Sequence, residues 1–442
     1  MEAIIAGLFL ALVILELIVE LALNEMNMSY IQKEKESGRI PDFFQDKMSP
    51  EDYRKSTDYT LGKGRFERWA GVYGAMVTLF VLFGGVLPYL DHLSKNLGSR
   101  LPPGTQATGI LFCFGAGLIS FLLSLPTELY STFVIEERFG FNKTTLKVYV
   151  ADKLKGLLLA IIIGVPFLFV VLWLIDAAGA YWWLWAFLFI FGVQFLIAVI
   201  YPTWIAPLFN KFEPLKDGAL RERILGLADQ LGFRTGGIYV MDGSRRSAHS
   251  NAYFTGLGRT KRIVLFDTLI EQMTLDQGLA VLAHEMGHYK MKHIRRMLVI
   301  RGVFLLAGLY ILSLLVHYGP LFRAFGLQQP SNYGALVLFT LLSGPATFYV
   351  GPLMNRLSRK YEYEADRFAV RTLRNGKPME EALINLTVKN LSNVTPHPWY
   401  SAYHYSHPSP AERIAAIREE EEKLSMAQTE NRPPSFLNRS RI

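Results

Sequence analysis

The chain has 442 residues, of which 51% are hydrophobic and 19% are charged, and its mean hydropathy is +0.21. Soluble domains carry about a quarter charged residues, so this composition argues against a soluble protein and favours a multi-pass membrane protein with a sizeable soluble part. A net charge of +8 is compatible with a nucleic-acid partner, but the sequence has no basic stripe interleaved with aromatic residues. Basic residues at the membrane edges explain the excess positive charge, so we expect no nucleic-acid partner. The single cysteine, Cys113, excludes an internal disulfide.

Apolar runs long enough to cross a bilayer, about 20 residues each, recur along the chain. The first run lacks the basic start of a signal peptide, so we expect it to remain as a membrane helix. Glu16 and Glu20 lie four residues apart on it, which favours a polar bundle interior over a pair near the membrane edge. We place seven spans near residues 3–24, 69–90, 108–130, 155–177, 181–202, 298–318 and 332–354.

Basic residues concentrate in alternate loops. The loops after the first and third spans are rich in Lys and Arg, whereas the loops after the second, fourth and sixth spans have few or none. By the positive-inside rule, the N-terminus lies outside, and segment 203–297 and the C-terminus lie in the cytoplasm. We expect a bacterial cytoplasmic membrane, with the endoplasmic reticulum membrane as the alternative.

Segment 203–297 has a mixed pattern. A polar helix is expected over residues 219–230. Three short strands separated by Gly-rich turns follow, at residues 238–241, 251–254 and 262–266. Thr274–Gln277 is a capping box that starts a helix, and we expect this helix to continue to about Lys292.

That helix carries an H-E-x-x-H pattern formed by His284, Glu285 and His288. Residues four apart lie on one helix face, so the two imidazoles can bind one metal ion together. Glu285 follows the first histidine and can take a proton from a metal-bound water, a combination typical of zinc hydrolases. A chance match on an ordinary amphipathic helix is the alternative.

A catalytic zinc site needs a third protein ligand and one open position. Glu362 and Asp366 share a helical face, so one carboxylate can bind the metal while the other holds a ligand histidine. A solvated charged face fits this spacing equally well. Glu364 points about 160° away from Glu362 and is a poor alternative ligand. His293, nine residues after His284, is expected on the far side of its helix, as a surface group or a group outside the coordination shell. Further downstream candidates are His397, His404 and His407.

After the seventh span the pattern becomes polar. Helices are expected at residues 355–374, 379–391 and 411–423. A loop rich in His, Pro and Tyr covers residues 396–409, and the composition from residue 427 onward predicts disorder.

Several stretches resemble the integral-membrane CAAX prenyl proteases, the zinc-dependent branch of the CAAX-processing endopeptidases. They occur in family order between about residue 60 and residue 418, and together they are far more specific than the H-E-x-x-H pattern alone. The stretches are Glu136–Lys143, Ile205–Phe212, Ser250–Phe254, Lys261–Asp267, Ala283–Lys290, Glu362–Asp366 and His407–Pro408.

The resemblance implies a mainly α, multi-pass membrane protein with seven transmembrane helices around a water-filled chamber. It also implies a zincin-like catalytic domain that contains a small β-sheet. One catalytic zinc ion would lie on His284, His288 and Glu362. Glu285 would act as the general base, and Asp366 would orient a ligand histidine from outside the coordination shell.

The same resemblance assigns three further roles. His407 and Arg413 would lie near the catalytic centre, where a histidine can stabilise the oxyanion that develops on the scissile carbonyl. The strand that contains Asn251, Ala252 and Tyr253 would be an edge that pairs with the substrate backbone.

The implied function is a membrane zinc endopeptidase that removes the last three residues of a prenylated Cys-a-a-X protein. Its partners would be a protein or peptide substrate and the lipid bilayer. One alternative is a quality-control membrane zinc protease with a broader substrate range. Another is a transporter or channel in which the histidines form a structural or transport metal site.

The chain is expected to divide into five parts. Residues 1–202 are an N-terminal membrane region with five helices, and residues 203–297 are the catalytic segment. Residues 298–356 hold the sixth and seventh membrane helices. Residues 357–426 are a helical part that completes the zinc site, and residues 427–442 are a disordered tail.

Overall fold

The computed structural model describes residues 1–233, 235–256 and 261–430. Within these residues, seven helices are long and apolar enough to cross a membrane, which confirms the predicted number of spans and the mainly helical fold. They occupy Glu2–Ser37, Pro50–Phe83, Gly104–Glu136, Leu146–Ala177, Gly179–Leu208, His293–Leu315 and Asn332–Leu373.

Shorter helices connect and extend these spans. In chain order the α-helices are α1 Glu2–Ser37, α2 Pro50–Phe83, α3 Val86–Gly98, α4 Gly104–Tyr130, α5 Leu146–Ala177, α6 Trp182–Ile200, α7 Ala219–Gln230, α8 Asp267–Gln272, α9 Leu275–Lys290, α10 His293–Leu315, α11 Gly319–Ala324, α12 Asn332–Leu373, α13 Lys377–Lys389, α14 Pro398–His404 and α15 Pro410–Glu430.

The second span differs from its predicted position near residues 69–90. Helix α2 starts at Pro50, where the Ser49 side chain caps the helix by accepting from the backbone N–H of Asp52. It ends at Phe83, because Gly84 and then Gly85, with φ of 78°, break the helix before α3. Hydropathy located the apolar part of this helix but not its polar first half.

A four-stranded mixed sheet lies in the catalytic segment, in the order β1-β2-β4-β3. The strands are β1 Phe212–Pro214, β2 Ile238–Met241, β3 Ala252–Thr255 and β4 Arg262–Phe266. Strands β2 and β4 pair in parallel, and the two outer pairs are antiparallel. The sequence predicted three of these strands but missed β1, a three-residue strand that ends in proline. Within the described residues, β3 is an edge strand.

Two hydrophobic cores organise the chain. The first lies among the membrane helices, where Phe9, Phe112 and Leu338 are buried. The second lies between the sheet and helix α9, where Ile263 and Met286 have no exposed surface. Because it covers one face of α9, this second core fixes the position of the H-E-x-x-H helix.

The C-terminal part departs from the predicted pattern in three places. The helix expected over 355–374 is not separate, because α12 runs without a break out of the seventh span. The loop predicted over 396–409 contains the short helix α14. Helix α15 continues to Glu430, so the disorder predicted from residue 427 is wrong for its first four residues, and residues 431–442 lie outside the described residues.

Candidate active site

Helix α9 starts with the capping box predicted from the sequence. The Thr274 hydroxyl accepts from the backbone N–H of Gln277 at 3.3 Å, and the Gln277 side chain accepts from the backbone N–H of Thr274 at 3.2 Å. Further along, Gly287 lets α9 approach α12 closely, since a Cβ there would lie 3.3 Å from the Cα of Ala365. This close approach brings the histidines of α9 to the carboxylates of α12.

His284, His288 and Glu362 converge on one point, with their ligand atoms all within 4.8 Å of one another. The two Nε2 atoms are 3.2 Å apart. Glu362 places Oε2 at 3.4 Å from the first histidine and Oε1 at 3.2 Å from the second. Ligand bonds of 2.0–2.1 Å to a tetrahedral ion put donor atoms roughly 3.3 Å apart, so the spacing fits zinc.

One atom of this cluster has no hydrogen-bond partner among the described residues, namely Oε2 of Glu362. Its residue is only 5% exposed. The Arg413 guanidinium lies 3.6 Å from this oxygen. A buried carboxylate oxygen without a hydrogen bond is energetically costly, and a bound cation would satisfy it. The donor set and this oxygen together fit a metal ion.

Asp366 holds the first histidine. The carboxylate lies 2.7 Å from Nδ1 of His284 and also pairs with Arg413 through two hydrogen bonds of 2.6 and 2.8 Å. Burial lowers the pKa of His284, but the Asp366 carboxylate outweighs burial and raises this pKa to about 9. Because an ionised carboxylate only accepts hydrogen bonds, Asp366 accepts from Nδ1 and leaves Nε2 directed at the metal position. A metal ion bound there would displace the proton that the metal-free ring carries on Nε2.

A second chain of contacts holds the other histidine. Nδ1 of His288 lies 3.0 Å from Nδ1 of His293, and Nε2 of His293 lies 3.0 Å from Glu364. If Glu364 accepts from His293, then His293 accepts from His288 and leaves Nε2 of His288 free for a metal. The sequence predicts His293 as a surface group or a group just outside the coordination shell, on the far side of the helix, whereas the structure places it beside His288. The angular extrapolation fails because α9 ends at Lys290 and Lys292 takes a left-handed φ of 62°. No sequence pattern predicts the contact between His293 and Glu364.

Glu285 lies partly buried beside the cluster. Burial raises the pKa of its carboxyl group, while His284 and His288 oppose this shift. A carboxylate with a raised pKa is a better proton acceptor near neutral pH than an ordinary glutamate.

His407 also reaches the cluster, with Nε2 at 3.4 Å from Oε1 of Glu362. Its side chain is 62% accessible and lines an open cavity of about 400 Å³ that also includes Arg413. Desolvation lowers the pKa of His407. The neutral ring can still donate a hydrogen bond from one nitrogen.

The predicted substrate strand lies at the free edge of the sheet. Asn251 precedes β3 and its carbonyl accepts from the backbone N–H of Phe266, while Ala252 and Tyr253 belong to β3. The hydroxyl of Tyr253 points across the sheet to the sulfur of Met241 at 3.8 Å. In the antiparallel ladder, Asn251 and Phe266 form a hydrogen-bonded pair, so the backbone groups of Tyr253 face β4 and those of Ala252 face the open edge.

The stretch that starts at Glu136 packs against His249, in the loop that leads into this strand. The Glu136 carboxylate accepts from the Tyr59 hydroxyl at 2.6 Å and lies 3.4 Å from His249, which stacks on Phe141 with ring centroids 3.9 Å apart. These residues line a cavity of about 700 Å³ that also reaches Asn251. The membrane half of the chain thus supports the loop that leads into β3.

Two intramembrane carboxylates lie away from the metal cluster. Glu16 and Glu20 line a cavity of about 280 Å³ between membrane helices, as expected for a polar bundle interior. Glu20 lies 3.6 Å from Nε2 of His404. His397 caps helix α14 and also lies outside the cluster.

Comparisons with known proteins cover almost all of the chain. Residues 30–211 match the model of the CAAX prenyl protease N-terminal region with five membrane helices, and residues 214–421 match the model of peptidase family M48. Two curated relatives carry related names. The CAAX prenyl protease 1 homolog of Arabidopsis thaliana is 40% identical over 85% of this chain and 89% of its own length. CAAX prenyl protease 1 of Saccharomyces cerevisiae is 37% identical over 89% of this chain and 92% of its own length.

A solved structure shows the same architecture. The crystal structure of Ste24p from S. mikatae aligns with a TM-score of 0.87 and 34% identity, covering 93% of this chain and 99% of that chain. These relatives are eukaryotic, so they do not support the bacterial membrane expected from the sequence.

Proposed function

Because the chain belongs to peptidase family M48 and to its CAAX prenyl protease branch, we propose that it is a zinc endopeptidase that acts on prenylated proteins. The reaction is removal of the last three residues of a prenylated Cys-a-a-X terminus. The observation that carries the proposal is the His284, His288 and Glu362 cluster. Its 3.2–3.4 Å spacing, and an Oε2 of Glu362 that has no hydrogen bond among the described residues, suit one tetrahedral ion.

Zinc is the ion that this donor set favours, since two imidazoles and one carboxylate leave one position open for water. When bound there, zinc would supply Lewis-acid polarisation of the scissile carbonyl and lower the pKa of water to about 7. Asp366 and the His293–Glu364 pair keep the two histidines in the tautomers that the ion needs.

Three residues around the ion have separate roles in the reaction. Glu285 accepts the proton of the attacking water and delivers it to the departing amine, which its raised pKa favours. His407 donates a hydrogen bond to the developing oxyanion. Arg413 positions Asp366 through two hydrogen bonds rather than touching the substrate.

The substrate would bind as an added strand. The edge of β3, within the described residues, offers the backbone groups of Ala252, and the side chain of Asn251 lies at the start of that edge. Tyr253 belongs to the same strand, but its backbone groups face β4. The cavity of about 700 Å³ beside Asn251 gives an extended peptide room beyond the strand.

We place the protein in the endoplasmic reticulum membrane, because the relatives described above are eukaryotic, with the site on the cytoplasmic side as the basic loops indicate. The division of the chain at residues 202, 297, 356 and 426 remains part of this proposal. The third of these boundaries falls inside the continuous helix α12.

The decisive experiment replaces Glu285 with Gln in the purified, reconstituted protein. We expect cleavage of a farnesylated Cys-a-a-X peptide to fall by at least about 100-fold while zinc content stays at one ion per chain. Full activity with normal zinc would refute the assigned base. Comparing the farnesylated peptide with its unprenylated counterpart separates CAAX processing from a broader quality-control protease, because only the former requires the isoprenoid.

A further inference from the structure

A mostly apolar cavity of about 870 Å³ lies at the end of β3, whereas the cavity beside Asn251 lies at its start. It is formed where the fifth span ends and the sixth begins, with Ile197 and Ala198 on α6 and Leu298 on α10. The two helices pack closely just beyond it, since the Phe191 ring lies 3.2 Å from where a Cβ on Gly302 would be. The cavity therefore lies at one end of a helix pair that spans the bilayer.

The rim of this cavity is basic. Lys261, Lys290, Lys292 and Arg295 line it, and the lining includes no acidic residue within the part of the chain that the structure describes. Among residues 1–233, 235–256 and 261–430, the last three of these cations form no ion pair. An apolar cavity rimmed by uncompensated cations is complementary to a ligand with an anionic head and an apolar tail.

Helix stabilisation accounts for Lys290, in the last turn of α9, but not for the two cations that follow it. Lys292 and Arg295 lie at the N-terminal end of α10, where a cation faces the positive end of the helix dipole and is locally unfavourable. The positive-inside rule explains a basic loop, but not the grouping of these side chains around an apolar cavity.

We propose that this cavity binds an anionic phospholipid. Its acyl chain lies along Ile197, Ala198 and Leu298, and its phosphate contacts the side chains of Lys292 and Arg295. An uncharged isoprenoid would fill the apolar part but would leave the basic rim without a counter-charge. Anionic lipids of the bilayer supply both features at the depth where the two helices end.

The site is connected to the metal helix. Tyr289 lines the cavity and directly follows His288, and its hydroxyl accepts from Nζ of Lys261 at 2.6 Å. The same ammonium group lies 3.9 Å from the centre of the Tyr289 ring. A phosphate bound at this rim would hold the last turn of α9 against β4, so the lipid would raise peptidase activity as well as bind.

The test uses the full-length protein in nanodiscs of phosphatidylcholine, with or without phosphatidylserine, and native mass spectrometry to count retained lipids. We expect the wild-type chain to retain phosphatidylserine selectively and to cleave its peptide faster when that lipid is present. The variant K290A/K292A/R295A should bind phosphatidylserine on the order of tenfold or more weakly, since each basic residue near an anionic surface contributes several-fold.

Matched controls distinguish lipid binding at this cavity from a general effect of the protein's positive charge. The variant R54A/K55A/K147A removes the same charge from exposed positions elsewhere and should leave phosphatidylserine binding unchanged. Lipid retention by the Glu285→Gln variant should equal that of the wild type, so the binding result does not depend on the proposed protease chemistry. Where the triple variant does not fold, Arg295→Gln alone gives the same comparison.

The proposal also requires the apolar part of the cavity. Ala198→Trp fills it and should weaken phosphatidylserine retention while the basic rim stays intact. Equal retention of phosphatidylcholine and phosphatidylserine by the wild type would overturn the proposal. So would loss of binding in Ala198→Trp with no loss in the triple variant, because that result identifies an uncharged occupant.

Discussion

Replacing Asp366 with Asn tests how the first metal-binding histidine is held. Asp366 has no exposed surface, lies 2.7 Å from Nδ1 of His284 and makes two hydrogen bonds to Arg413. Asparagine keeps the shape of the side chain but removes its charge and turns one acceptor into a donor. The guanidinium of Arg413 then keeps one nearby carboxylate, Glu362, at 3.6 Å.

Two magnitudes follow from that geometry. Loss of a partner that orients a metal ligand lowers metal affinity by about 10–100-fold. Leaving a buried cation without its partner costs about 3–5 kcal/mol of stability, and we expect the lower end of this range because Glu362 partly compensates Arg413. The variant should therefore bind zinc more weakly and unfold at a lower temperature.

The assay titrates zinc into the metal-free protein in detergent and follows thermal unfolding in parallel. The double variant Asp366→Asn/Arg413→Gln serves as the control, because it removes the unpaired cation together with its partner. We expect it to recover stability but not zinc affinity. A zinc affinity within twofold of the wild type in the single variant would refute the idea that Asp366 orients His284.

Three other perturbations give separate tests. Glu364→Gln should lower zinc affinity by roughly tenfold, because it weakens the contact that fixes His293 and, through it, His288; an unchanged titration would contradict that relay. Gly287→Ala should cost about 1–3 kcal/mol in thermal unfolding and reduce cleavage, because its Cβ would lie 3.1 Å from a ring on α12. Gly278→Ala is the control in the same helix, because a Cβ added there would have no neighbouring atom within 4 Å. It should be neutral or stabilise by up to about 1 kcal/mol, and equal losses of stability in both variants would refute the packing argument. A strong chelator should abolish cleavage, and zinc should restore it; activity that survives verified metal removal would contradict a metallopeptidase.

The sequence predicted the parts of the site that depend on local periodicity. The spacing of His284 and His288 and the capping box at Thr274 are properties of one helix, and the structure has both as expected. The spacing of Glu362 and Asp366 was compatible with a solvated face. Their burial arises from the packing of α12 against α9, which no local pattern encodes.

The misjudged position of His293 has a different physical cause. Extrapolating 100° per residue assumes that one helix continues through His293. The helix does not continue, because Lys292, the residue before His293, has a left-handed conformation. Lysine carries no strong signal for this conformation, whereas glycine or asparagine would have. The angle between Glu362 and Glu364 on their helix argues against Glu364 as a metal ligand. That angle does not bear on the role that the structure gives Glu364, which is contact with His293.

Helix α12 explains why the membrane and the metal cluster form one unit. At 1.5 Å per residue, its 42 residues span roughly 63 Å, about twice the thickness of the hydrocarbon core. Hydropathy ends the seventh span near residue 354 because it detects only the part that contacts lipid, whereas the backbone hydrogen bonds continue. Glu362 and Asp366 are therefore held by a helix that is anchored in the bilayer, while the histidines are held by a helix packed on the sheet. The separation of α9 and α12, set by Gly287, fixes the distance between the two halves of the site.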